Sequence, residues 1–384
     1  MTTVGILGGG QLARMMILAG APLGLQFRVY DPSPEACAGQ LAPLVNGAFD
    51  DEQALRDFAA SVDVITFDFE NVPAASLAAL EQGSRVFPNA RALSLAQDRL
   101  SEKTLFQSLG IPLPAFADID SLATLETKVA EFGLPCILKT RRLGYDGKGQ
   151  FRIKQAGDVA AAWEALGAQA GSVGLILEGF VHFDCELSVV AARNAAGQFV
   201  AWPVTRNWHV DGVLSASLAP CGMPQAVQDQ AIAHARAVAE HLDYVGVFAL
   251  ELFHCEGTLL ANEMAPRVHN SGHWTGDGAQ TSQFANHLRA GLGLPLGDTA
   301  VLGVACMLNW LGQMPDADPV LSEAAGFWHD YGKSPRAGRK VGHANFRADT
   351  SAALSEALIR VGDALERQGQ VAPVVQALAG RQDR

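Results

Sequence analysis

Three features of the sequence predict an α/β architecture with an open parallel sheet at its amino end. Short apolar runs alternate with helical apolar spacing through the first third of the chain. A glycine-rich turn joins the first of these runs to the first helix. Further on, glycine-punctuated hairpin patterns leave charged side chains at strand ends.

The first run, Val4-Gly5-Ile6-Leu7, reads as a buried strand and enters Gly8-Gly9-Gly10-Gln11-Leu12-Ala13. Leu12, Met15, Met16 and Ala19 recur at helical spacing, with Gly20 placed to cap the end. A second strand, "FRVYD", ends in Asp31. Glycines here let backbone amides approach an anion, and a helix start favours negative charge. The pattern suits a dinucleotide, a single phosphate or an unoccupied tight turn. "DVITFDFEN" and "RVFPN" read as two further strands, and Glu70 falls at the edge where such sheets bind ligands.

Composition narrows the function classes. The 384 residues carry a formal net charge of −12, are 49% hydrophobic and 18% charged, and contain no basic run. That excludes an extended nucleic-acid or anionic-membrane surface but leaves room for a local basic pocket. No apolar run approaches the roughly 20 residues of a membrane span, and the amino terminus lacks a signal-peptide pattern. The cysteines are scattered without a CxxC pair, as expected of reduced thiols in the cytoplasm.

In the middle of the chain, "DRLSEKTLFQSLGIP" reads as a helix that Gly110 and Pro112 terminate, with Arg99 and Lys103 four apart. Like charges at that spacing do not support a helix by themselves, so an anion nearby is expected. "LPCILKTRRLGYDGKGQFRIK" reads as strand, glycine-rich turn, strand, presenting Lys139. The pattern is not GxxxxGK[ST], and no helix follows it. Free amides and Lys148 suit the turn to lie over phosphates. "VGLILEGFV" gives a strand ending in Glu178, whose carboxylate and following amides suit an adenine edge and ribose hydroxyls. Glu186 opens the next strand, and His209 falls in a polar, turn-like setting.

"VGVFALELF" buries nearly everything except Glu251, turns at "HCEGT" and returns through "LLANEM". A hairpin centred on Gly257 sets Glu251 opposite Glu263. Facing carboxylates about 5 Å apart at Cβ repel unless a cation lies between them or one takes a proton. With phosphates implied nearby, a hard divalent cation is expected: magnesium, with manganese as the alternative.

Lys139, "GYDGKGQ", Glu251, Asn262-Glu263 and "APRVHNSGHWT" together resemble the ATP-grasp superfamily. Within it they are similar to the 5-(carboxyamino)imidazole ribonucleotide synthetases, the ATPase subunits of phosphoribosylaminoimidazole carboxylase. The likeness runs from "GGGQLARM" to "AGRKVGH" and departs at Ala13 and Ala337, where the family commonly has glycine and proline. Residues 345–384 carry no motif. The resemblance implies an ATP-grasp fold with a Rossmann-like pre-ATP-grasp parallel sheet domain over 1–97. The ATP-grasp domain follows over 98–295, with a lid at about 115–180, and a small carboxy-terminal domain over 296–384.

It also implies ATP-dependent carboxylation of aminoimidazole ribonucleotide with bicarbonate, through carboxyphosphate, by a cytoplasmic homodimer whose partners are these small molecules. By that likeness Arg99 and Lys139 meet the ATP phosphates, and Gly144, Tyr145, Asp146, Gly147, Lys148, Gly149 and Gln150 close over them. Glu178, Gly179, Phe180, Val181, Glu186 and His209 hold the nucleoside side. Glu251 and Glu263 bind magnesium, with Asn262 beside them. Arg267 clamps bicarbonate or carboxyphosphate, with His269 and Asn270 as neighbours. Tyr145, Asp146, Lys333, Arg336, Arg339 and Lys340 hold the ribonucleotide, completed by Gly10, Gln11 and Glu70. Asp146, Arg267, His269 and Lys333 are the expected catalytic groups. The competing readings are an NAD-dependent dehydrogenase, a nucleotide-sensing module and a sister ATP-grasp enzyme of purine biosynthesis such as a formate-using transformylase.

Overall fold

The computed structural model describes residues 1–144 and 149–381. Tyr145, Asp146, Gly147 and Lys148 of the expected flap therefore lie outside the described residues. Three sheets organise the rest. The first is parallel, in the order β3-β2-β1-β4, from β1 (Thr3–Leu7), β2 (Gln26–Asp31), β3 (Leu44–Asn46) and β4 (Val64–Phe67). Val4, Ile6 and Leu7 are fully buried, as a parallel sheet covered on both faces requires.

Two local readings change. The helix Gln11–Gly20 runs on into a short 3-10 turn, and the residue in the left-handed conformation is Gly24 (φ 68°), not Gly20. "RVFPN" contributes a single parallel bridge, Val86 to Ile65, in place of a strand. Proline has no N–H to extend a ladder, which stops the pairing short at Pro88.

The second sheet is antiparallel, in the order β5-β8-β6-β7, from β5 (Phe116–Ile119), β6 (Cys136–Thr140), β7 (Gln150–Ile153) and β8 (Leu175–Gly179). The glycine-rich turn joins β6 to β7, and Thr140 N–H donates to Gly149 O at its base (2.8 Å). Leu125, Leu138, Ile153, Ala162 and Leu177 form a separate small core under this sheet.

The third sheet has nine strands. In chain order they are β9 (Cys185–Arg193), β10 (Phe199–Ala201), β11 (Thr205–Val210), β12 (Val213–Ala219), β13 (Gly246–Cys255), β14 (Thr258–Ala265), β15 (Val304–Leu311), β16 (Gly326–Asp330) and β17 (Lys340–Ala348). The path is β14-β13-β9-β11-β12-β15-β17-β16, with β10 beside β9. β15 pairs with β12, so the last strands extend the sheet that carries the acids instead of closing a sheet of their own. Two helices, Ser351–Ala364 and Gln368–Ala379, cover its outer end, burying Leu354, Leu358, Val374 and Leu378 against Trp310 and Phe346. Each such side chain contributes about 1.5–3 kcal/mol. That packing accounts for the motif-free residues at the end of the chain. Among the described residues no helix is long and apolar enough to cross a membrane.

Candidate active site

The β13–β14 hairpin sets the chemistry. Its turn is the two-residue Glu256-Gly257, so the ladder near the turn pairs Cys255 with Thr258 and Leu252 with Ala261. Continued, that register would put Asn262 opposite Glu251. A bulge at Asn262 shifts it by one residue, and Glu251 pairs with Glu263. The expected pairing therefore holds for a different reason: the hairpin is not centred on Gly257. The bulge is clamped by the helix Arg99–Ser108. Lys103 Nζ donates to Asn262 O (3.2 Å), and Glu102 Oε1 accepts from Met264 N–H (2.5 Å). Both side chains are buried, and burial raises Glu102 well above the usual carboxylate range. Sequence spacing marked Lys103 as one of a cation pair but gave no sign that Glu102 points inward.

Each facing acid has a partner of its own. Glu263 accepts from Arg99 (2.9 Å), and Glu251 Oε1 lies 3.1 Å from His269 Nε2. Burial opposes ionisation of Glu251, but the hydrogen bond from His269, with the charges of His209 and Lys340 beyond, outweighs it and holds the carboxyl low. His209 is not in a surface turn. It lies in β11, with Nδ1 2.6 Å from Glu186 Oε2. Burial works against its charge, and Glu186 more than compensates, pulling His209 up. Two carboxylates with the Asn262 amide beside them, and no thiolate, suit a hard divalent cation whose remaining ligands are water and phosphate. Among the described residues no cluster of three or more His, Cys, Asp or Glu forms a complete protein cage for a metal.

A second group of charges is closed on itself. Glu178 Oε2 lies 2.9 Å from Lys139 and 3.4 Å from Lys103, behind the cavity wall. Burial acts on it first, but Lys103, Lys139 and Arg99 overcome that and pull it down to about 2. Lys139, in the same pair, is itself pushed down, because burial and two neighbouring cations outweigh one shared acid. The carboxylate's charge is therefore the secure one. Glu178 Oε1 is buried with no hydrogen-bond partner among the described residues. Asp98, which caps the helix Arg99–Ser108, also accepts from Arg141 (2.7 Å) and Arg142 (3.0 Å). That anchor is readable in retrospect as an acid directly before a helix.

The acids and cations open onto one cavity of about 400 Å³. Arg99, Lys139, Gly144, Gly149 and Gln150 line one side, and Glu186, His209, Glu251, Asn262 and Glu263 line its floor. Glu70, Arg267, His269, Asn270 and Lys340 complete it. Arg267 is paired with Glu70 across the domains (2.7 Å), so Glu70 positions the arginine in addition to facing the cavity. Both polar atoms of the Asn270 side chain are buried without a hydrogen-bond partner among the described residues. Glu178, Gly179, Phe180 and Val181 do not line this cavity.

The glycine turn of the first domain is differently occupied from a dinucleotide fingerprint. Asp31 turns into it and accepts Gly9 N–H (2.7 Å) and Ser33 N–H (2.7 Å), so it is not presented to a ribose. Asp68 lies beneath the turn, where a Cβ on Gly8 (φ 97°) would collide with it, and accepts Ala13 N–H (3.2 Å). Burial pushes Asp68 up to about 6. Lys333 hydrogen-bonds Gln11 at the start of that helix, with Gly10 as the preceding cap residue. Lys333 and Arg339 line a second cleft of about 660 Å³ with Ser33, Gln40 and Asn46, whereas Arg336 is exposed and lines neither cavity.

Three family descriptions match the chain: a ribonucleotide synthetase preATP-grasp domain over 1–97, an ATP-grasp domain over 104–284 and a phosphoribosylaminoimidazole carboxylase C-terminal domain over 305–357. The N5-carboxyaminoimidazole ribonucleotide synthase of Pseudomonas aeruginosa is 48% identical, over 94% of this chain and 99% of that protein. The crystal structure of the synthetase from Thermus thermophilus superposes with a TM-score of 0.90 at 51% identity, covering 94% of this chain and 98% of that one. A synthase from Aspergillus clavatus, solved with ADP and 5-aminoimidazole ribonucleotide, superposes with a TM-score of 0.85 at 28% identity and 98% coverage of both chains.

Proposed function

The chain belongs to the N5-carboxyaminoimidazole ribonucleotide synthase family, and from that premise we propose which side chains carry each step. The enzyme is an ATP-dependent carbon–nitrogen ligase of purine biosynthesis, joining bicarbonate to 5-aminoimidazole ribonucleotide with release of ADP and phosphate. The assignment of residues rests on one observation: Arg99, Lys139, Arg267 and the Glu251–Glu263 pair converge on a single cavity.

Bicarbonate is a poor electrophile because hydroxide leaves badly. Its oxygen attacks the γ-phosphorus of ATP, the bond to the bridging oxygen breaks, and ADP departs, leaving carboxyphosphate. The ribonucleotide amine then attacks the carboxyl carbon, phosphate leaves, and the nitrogen gives up a proton. Both steps bring anions together, so preorganised cations supply the main stabilisation. Arg99 and Lys139 take the triphosphate. Arg267, held by Glu70, presents its guanidinium to the carboxyl or phosphoryl oxygens. His269 and Asn270 stand beside it in the lining of the same cavity. Glu251 and Glu263, with Asn262, would hold magnesium, or manganese, which neutralises phosphate charge when bound. The unpartnered Oε1 of Glu178 suits the amino group of adenine, with Gly179, Phe180 and Val181 on that side, although these residues lie behind the cavity wall.

Lys333, Arg339 and Lys340, with Gln11 and Gly10, take the ribonucleotide phosphate, and Arg336 stands at the rim. Asp146 handles the amine proton, with Tyr145 and Lys148 closing the flap. We take 1–97, 98–295 with a lid at about 115–180, and 296–384 as the working units. The same reading has a homodimer at work in the cytoplasm.

The test is phosphate release with ATP, bicarbonate and the ribonucleotide omitted in turn. Release that needs all three supports the reading; release indifferent to the ribonucleotide sinks it. Asp31, spent on Gly9, leaves the dehydrogenase reading without its ribose-binding acid.

A further inference from the structure

His269 faces the cavity through Nε2, but its other nitrogen leads away from the site into the sheet. Ser271 N–H points at His269 Nδ1 (3.3 Å), and a backbone amide only donates. Nδ1 is therefore an acceptor. Ser271 Oγ lies 2.8 Å from the same nitrogen and must donate its proton there. Its oxygen then accepts from Ser188 Oγ (2.8 Å). Ser188 Oγ in turn accepts from Asn207 Nδ2 (2.9 Å), and Asn207 Oδ1 accepts from Ser217 Oγ (2.7 Å). Ser188, Ser217 and Ser271 are 0% exposed and Asn207 is 5% exposed. They come from β9, β12, the segment after β14, and β11, so four separate parts of the sheet region supply one line of donors.

Such a line is costly to leave half-satisfied in a buried place, and each hydroxyl has one proton to give. The direction is set at both ends: among the described residues Ser217 Oγ donates to Asn207 Oδ1, and Nδ1 accepts from a backbone amide. We propose that Ser271, Ser188, Asn207 and Ser217 are positioning residues that fix His269 as the tautomer carrying its proton on Nε2. His269 then presents an N–H, not a lone pair, toward Glu251 and the cavity. It serves the carboxyl or phosphoryl oxygen as a fixed hydrogen-bond donor, of the kind that stabilises developing negative charge, and not as the acceptor of the amine proton. This inference rests on the placing of His269 in the turnover site.

The tautomer is read directly from a long-range proton–nitrogen correlation spectrum of protein labelled in its histidine side chains, with His269 assigned by its loss in His269→Gln. The wild type is expected to show a protonated Nε2 and a bare Nδ1. Ser217→Ala, remote from the cavity, and Ser271→Ala shorten the line from its two ends. Both are expected to mix the tautomers and lower kcat, by roughly 10-fold for Ser271→Ala, with KM for ATP unchanged. Asn207→Asp supplies acceptors where the amide donated, which reverses the line and moves the proton to Nδ1. If that variant does not fold, Ser217→Ala still decides. A wild-type spectrum with the proton on Nδ1 overturns the proposal, as does an unchanged spectrum in both serine variants. If the spectrum is as expected but His269→Gln turns over at the wild-type rate, the tautomer stands and the catalytic meaning assigned to it falls.

Discussion

Two carboxylate clusters, one buried and one open, lie within reach of the same arginine and use their charge in opposite ways. Glu178 is 4% exposed and wedged between Lys103 and Lys139. Its charge is cancelled inside the protein, and its effect is to hold two lysines in place. Glu251 and Glu263 face one another on the open floor of the cavity, each held by a single partner from another element, His269 or Arg99. A closed cluster sets the geometry of its own members. An open one has charge to offer to something else. The distinction comes from the neighbours each acid meets, since all three acids are glutamates.

The strongest way to break this comparison is to open the closed cluster. Lys103→Met leaves Glu178 with Lys139 as its ion-pair partner and takes a charged donor from the bulge carbonyl of Asn262. Removing one member of a buried ion pair costs about 3–5 kcal/mol, and the midpoint of urea unfolding should fall accordingly. The pH dependence sharpens the point. A carboxyl held down to about 2 contributes stability that is complete above its ordinary value and fades as pH falls toward 2. Without Lys103 the folded carboxyl moves back toward its ordinary value, so that fading should shrink. An unchanged acid limb would remove Glu178 from the stability argument.

In the open cluster, Glu263→Gln takes away charge but almost no volume. Phosphate release should drop by roughly 100- to 1,000-fold, with the unfolding midpoint close to wild type. Near-full turnover in saturating magnesium would show that the facing acids are not the cation site. Lys333→Ala lies outside both clusters and should weaken the ribonucleotide by about 10- to 100-fold, the worth of one charged hydrogen bond, while sparing ATP. Titration calorimetry with each ligand separates the two effects.

Asp68 is the intermediate case: a buried acid whose cations, Arg267 and Lys333, act only at a distance. Its carboxyl is pushed up to about 6. The folded state therefore holds its proton more tightly than the unfolded chain, and stability falls as pH rises from about 4 to 6. Asp68→Asn should abolish that fall and stabilise the neutral-pH protein by on the order of 2 kcal/mol, seen by denaturant unfolding at pH 4 and pH 7. Equal unfolding midpoints for the two proteins at pH 7 would mean that Asp68 has found a partner of its own.

Period and punctuation made most of the strands legible. β1, β2, β6, β8, β9 and the β13–β14 hairpin follow from apolar runs bounded by glycine or charge. Lys139 and the two facing glutamates were recognisable because charged groups interrupt those runs, whereas Arg267 came only with the family resemblance. His209 was misplaced because a histidine shortly before Asp211-Gly212 reads as part of a turn, whereas here Glu186 across the sheet gives it a partner inside a strand. Glu102 left no trace in the pattern, since an acid in a helix ordinarily faces water.

The sequence by itself determined the strand–helix alternation at the amino end, the hairpins that carry the charged groups, the charge inventory and the resemblance that names the family, because these depend on residue type and spacing along the chain. Only the tertiary structure decided which acids are closed and which are open. That depends on a one-residue bulge and on a helix distant in sequence that satisfies it, and hydrogen bonds between remote segments leave no period to read.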